Sequence, residues 1–100
     1  MGYVVFKVEK EKLGKAKKIM NDDLLSRQSL TMREAEALGE EGNHSFFMLE
    51  GSEDALEKAK GLFKDEEAGE PLGHDKGQEI HEKIKEEENS SMAGVGALFG

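Results

Sequence analysis

The run Phe46-Phe47-Met48-Leu49, set between Gly42 and Gly51, constrains this chain more than any other segment. Four large apolar residues in succession leave no polar side to face water. A segment this short and glycine-bounded reads as a central strand with both faces covered. Tyr3–Val8 adds a second strand, because Val4, Phe6 and Val8 alternate with Tyr3, Val5 and Lys7 and the residues are β-branched or aromatic.

Helical spacing fills much of the interval between these strands. Leu13, Ala16, Ile19, Met20 and Leu24 predict a helix from Glu11 to about Leu25, with its lysines on the polar side. Ser26–Ser29 reads as a loop. Thr31 and Glu34 form a capping box, in which each side chain satisfies an unpaired amide of the first turn. A short helix Met32–Leu38 is expected to follow, closed by Gly39 as a left-handed cap. The alternative is a strand over Gln28–Met32. Beyond the apolar run, Ser52 caps a helix whose Ala55, Leu56, Ala59, Leu62 and Phe63 make a buried stripe.

After Asp65 the chain turns acidic and glycine-punctuated around its one proline, Pro71. A helix over residues 75–88 carries only Ile80 and Ile84 as spaced apolar residues, which predicts a solvated helix or a partly disordered segment. The expected organisation is therefore a folded domain over 1–65, an acidic linker over 66–91 and a mobile apolar tail over 92–100. The fold class is α+β: a small two-layer sandwich whose short sheet, of two or three strands, is covered by helices. Two adjacent parallel strands would need a crossover through the intervening helices. A two-stranded sheet is marginal alone. Either the Gln28–Met32 strand makes it a reduced ferredoxin-like fold, or a second chain completes the sheet as a homodimer through the sheet edge.

Little catalytic chemistry is written in the residues. The serines lack the Gly-x-Ser-x-Gly setting, and no glycine-rich loop leads into Gly-Lys-Ser/Thr. The absence of cysteine excludes disulfides and thiolate zinc sites. His81 with Glu82 and Gln78 is too sparse a set for a metal, and His44 reads as a strand-entrance residue. No catalytic residue, metal or cofactor is expected. The longest apolar runs fall short of a membrane span, and no targeting segment is visible, so the expectation is a cytoplasmic protein with no membrane partner.

The net charge of −8 conceals an asymmetry: residues 1–33 carry eight basic and four acidic side chains, and residues 34–100 six and eighteen. A split of this kind points to two surfaces with different partners. Lys12, Lys15 and Lys18, with Arg27 and Arg33, are the candidates for contact with ribosomal RNA. The plainer reading is a solvated lysine-rich helix face.

The chain closes on Glu86-Glu87-Glu88-Asn89-Ser90-Ser91-Met92-Ala93-Gly94-Val95-Gly96-Ala97-Leu98-Phe99-Gly100. Met92, Val95, Leu98 and Phe99 would share one stripe if this segment became helical, the pattern by which helices dock into apolar grooves. The acidic run followed by a Gly/Ala-rich segment ending Gly-Ala-Leu-Phe-Gly resembles the C-terminus of archaeal ribosomal stalk proteins. In that family the tail is a mobile lure that places Leu and Phe in a groove of translational GTPases and related factors. The resemblance implies Leu98 and Phe99 as main anchors and Val95 and Met92 as secondary ones. It is confined to residues 86–100, so the chain reads as a separate ribosome-associated protein bearing such a tail. The alternative is a small self-associating regulatory or adaptor domain, or a small-molecule sensor with a pocket near Gly51 and Ser52, whose tail is merely disordered.

Overall fold

A computed structural model describes the backbone of residues 2–99 and the side chains of residues 2–88. Along the chain come β1 (Gly2–Glu9), α1 (Leu13–Ile19), β2 (Ser29–Glu34), β3 (His44–Gly51), α2 (Glu53–Asp65), β4 (Glu70–Pro71) and α3 (His74–Phe99). Single 3-10 turns lie at Lys10–Lys12, Leu25–Arg27 and Glu36–Leu38. The strands form one sheet in the order β2-β3-β1-β4, antiparallel at every step. The protein is thus α+β, and its first six elements follow the βαββαβ ferredoxin-like arrangement. The fourth strand is reduced to two residues.

β3 is central, as its apolar run requires. Phe47 and Leu49 face one core with Val4, Phe6 and Val8 of β1, beneath Ala16 and Ile19 of α1 and the stripe of α2. Phe63 stacks on Phe6 with ring centroids 3.9 Å apart and meets Phe47 edge-on at 6.5 Å. Ser52 caps α2 as expected, its hydroxyl accepting from the amide of Ala55 at 3.3 Å.

Three expectations are corrected. First, α1 ends at Ile19, well before Leu25. The carboxylate of Asp22 accepts from the amides of Leu24 and Leu25 at 3.0 and 3.3 Å, a local bond that competes with continued helix. Second, residues 29–34 form β2, in place of a helix starting at Met32. Leu30 lies opposite Leu49 and Met32 opposite Phe47, so pairing with the buried strand overrides the Thr31–Glu34 capping signal. Only the turn Glu36–Leu38 survives of that helix, closed by Gly39 at φ 76°. Third, the adjacent strands are not parallel. β1 and β2 run in the same direction but flank β3, which opposes both.

The segment 66–91 is not a plain linker. It contains β4, which pairs Phe6 with Pro71 and Lys7 with Glu70, and the first turns of α3. Ile80 and Ile84 are fully buried, packed with Val5, Phe46 and Met48 on the second face of the sheet. The sandwich therefore has a third layer: α1 and α2 on one side, the sheet, and α3 on the other.

Replacing Ile84 with Ala should destabilise the protein by about 2–5 kcal/mol, the usual cost of truncating a buried isoleucine. Urea denaturation measures this directly. A change within ~0.5 kcal/mol, as at ordinary surface positions, would mean that α3 does not belong to the cooperative unit.

Candidate functional site

Two regions can meet partners, and they lie on opposite faces of the sheet. On the α1/α2 side, the 3-10 turn after β1 points Lys12 into a groove of about 630 Å³. The groove also holds Lys7 from β1 and Lys60 and Lys64, one turn apart on α2, over a floor that includes Phe63 and Pro71. Glu9, Glu67 and Glu70 share the rim. Among the described residues, Lys7, Lys12 and Lys64 form no ion pair even so. Lys64 stands in the last turn of α2, where the carbonyl ends of the helix favour positive charge.

Next to this groove, Lys15 and Lys18 border a second one of about 380 Å³ with Asp22, Leu62 and Glu66. The Lys15 ammonium donates to the backbone carbonyl of Glu66 at 3.2 Å, tying α1 to the end of α2. Asp22 pairs with Lys58 at 3.0 Å, and that contact holds its carboxyl below the usual range. The structure therefore brings Lys12, Lys15 and Lys18 to one flank and adds Lys60 and Lys64 of α2, whereas strand alternation puts Lys7, at the rim of the groove, on the face of Val5 and Phe46. Arg27 sits apart in its own turn, paired with Asp23 at 3.1 Å where both side chains are largely exposed. Arg33 is on the other side of the sheet altogether.

That other side is the seat of α3. Arg33 Nε meets Glu87 at 2.7 Å. Lys76 reaches Glu40 at 2.6 Å, and Lys83 bonds the other oxygen of the same carboxylate. Lys85 pairs with Glu50 at 3.0 Å, and His81 Nε2 lies 3.7 Å from the second Glu50 oxygen. The His81 ring stacks on Tyr3 at 4.1 Å. Ion pairs this exposed add ~0–1 kcal/mol each, so Ile80 and Ile84 supply most of the adhesion and the charges fix the helix's direction. Lys76, and after it Lys83, hold the Glu40 carboxyl down to about 2 from 4.5. Glu40 and then Glu79 raise Lys76, and Glu50 raises Lys85.

The tail residues Met92, Val95, Leu98 and Phe99 lie outside the residues whose side chains are described. The proposed sensor pocket near Gly51 and Ser52 is occupied by the Gln28 carboxamide, which accepts from the Ser52 amide at 3.3 Å and leaves no room for a Cβ on Gly51. Among the described residues, no three His, Asp or Glu side chains gather as a metal site would require, and no helix is long and apolar enough to cross a membrane. No family model, curated protein or solved structure matches the chain.

Glu40 has a depressed folded-state pKa, so its contribution to stability is present above its ordinary value of 4.5 and is lost as pH falls toward about 2. Over that window, the protection of amides in the first turns of α3, taken relative to their intrinsic exchange rates, should fall ahead of that of the β1–β3 ladder. The variant Glu40→Gln should remove the pH dependence of that lead. An unchanged profile would show that the lysines hold nothing.

Proposed function

We propose that this is a non-enzymatic, translation-associated protein. Its C-terminal segment binds a translational GTPase or a related factor, and its folded domain docks on the ribosome through the lysine flank. The observation that carries the reading is a glutamate run, Glu86–Glu88, followed by a small-residue segment that closes on Gly-Ala-Leu-Phe-Gly. Leu98 and Phe99 are its anchors, with Val95 and Met92 in support.

The architecture is compatible with both contacts at once. α3, which runs through the ending to Phe99, packs Ile80 and Ile84 on one face of the sheet, whereas Lys12, Lys15 and Lys18 lie on the other. Clustered lysines suit phosphates, and binding of this kind is sequence-tolerant and salt-dependent. The acidic remainder of the molecule opposes indiscriminate association with nucleic acid and leaves the lysine flank as the one orientation of approach.

Deleting residues 92–100, or substituting Leu98→Ala with Phe99→Ala, should abolish binding to purified elongation factors in a pull-down or calorimetric titration. Undiminished binding, or no binding by the intact chain, removes the tail from the account.

The lysine flank is tested separately. Combining Lys12→Glu, Lys15→Glu and Lys18→Glu should weaken binding to ribosomal RNA across sequences and flatten its salt dependence by about one unit of slope per lost phosphate contact. Equal affinity in the variant would assign the lysines to solvent.

A further inference from the structure

β2 is an edge strand, bonded to β3 on one side only. The amide of Ala35 donates to the carbonyl of His44 at 2.9 Å, which sets the alternation along the strand. Ser29, Thr31 and Arg33 turn their backbone groups toward β3, and Leu30, Met32 and Glu34 turn theirs outward. An outward row of this kind is a template for another strand. Met32 stands in the middle of it and is the one large apolar residue exposed among those described, at 43%. Its neighbour on the same face, Leu30, is half-buried against the α1/α2 core.

From this edge we propose that β2 pairs antiparallel with β2 of a second copy, about a two-fold axis through Thr31. The occupant is identified by the strand's own side-chain pattern. With the axis at Thr31, Leu30 lies opposite the partner's Met32 and exchanges both backbone bonds with it. Thr31 faces the partner's Thr31, Ser29 faces the partner's Arg33, and Gln28 faces the partner's Glu34. Apolar meets apolar, hydroxyl meets hydroxyl, and no like charges are opposed, which is what cross-strand pairing favours.

Neighbouring registers lose part of this match: an axis at Leu30 keeps Leu30 on the partner's Leu30 but sets Met32 against the partner's Gln28, beyond the end of β2. An axis at Met32 sets Leu30 against the partner's Glu34, and an axis at Arg33 sets two guanidinium groups face to face. Shifts by one residue set each outward-facing residue opposite one whose amide and carbonyl are turned to β3, so the bonds have no partners. Arg33 Nη1 already donates to the Met32 carbonyl at 2.9 Å. A carbonyl oxygen has a second lone pair, so this bond leaves Met32 able to accept from the partner strand. The inference does not depend on what the C-terminal segment binds.

The test uses the full chain. Sedimentation at high micromolar concentration should show a reversible dimer. Met32→Pro removes an outward amide and leaves every β2–β3 bond in place, so it should sediment as a monomer with an unchanged circular dichroism spectrum. If that variant does not fold, Met32→Lys is read the same way, since a lysine on the edge blocks pairing.

Register is read by cross-linking, which is clean because the chain has no cysteine. Two Thr31 positions at the axis form a non-hydrogen-bonded pair with Cα atoms about 4.5 Å apart, inside the span of a disulfide. Thr31→Cys should therefore oxidise to a covalent dimer roughly tenfold faster or more than Ser29→Cys, whose partner position is Arg33. A wild-type monomer at high micromolar concentration overturns the proposal, as does equal cross-linking of the two variants.

Discussion

Burying a strand on both of its faces governs this molecule. Phe46 and Met48 point one way from β3, Phe47 and Leu49 the other, and all four are withdrawn from water. At about 25 cal/mol per Å² of apolar surface, neither pair can be left uncovered in a domain this small. α1 and α2 cover the first side with a broad apolar stripe. The second side is closed by α3, whose described residues contribute Ile80 and Ile84. The acidic helix is held where it is because β3 needs a roof.

The dependence also runs outward from β3. β1 pairs with it along its full length, from Gly2 opposite Gly51 to Glu9 opposite His44. β2 exists as a strand because β3 presents a free ladder to residues 29–34. Removing the apolar run would thus withdraw the reason for β2 and for the docking of α3 together. The lysine flank, by contrast, is built on the surfaces of α1, α2 and the turn after β1, so its charges other than Lys15 can change with little consequence for the fold.

What could be read in the sequence divides along the range of the forces involved. β1, β3 and α2 declared themselves through local periodicity and a serine cap, signals contained within a few residues. β2 is ambiguous, since Thr31 and Glu34 advertise a helix start while Gln28–Met32 also reads as a strand, and only a distant partner strand decides between them. Ile80 and Ile84 looked like too little apolar surface for a core helix. The other half of the contact is supplied by Val5, Phe46 and Met48 from distant parts of the chain. The candidate site shows the same division. Lys12, Lys15 and Lys18 are visible as a helical set, whereas Lys60 and Lys64 join them only through folding. Arg33 was grouped with them by charge alone, and the parity of β2 carries it across the sheet to Glu87.

The two margins of the sheet are unlike. At one, β2 offers six residues in extended conformation. At the other, β4 is two residues long and includes Pro71, which has no amide hydrogen to give. A sheet built this way is a polar object with a single adhesive side, and whatever adds to it does so once. Assembly along the hydrogen-bonding direction terminates at the first neighbour, so a chain carrying an open edge avoids becoming a monomer of a fibril.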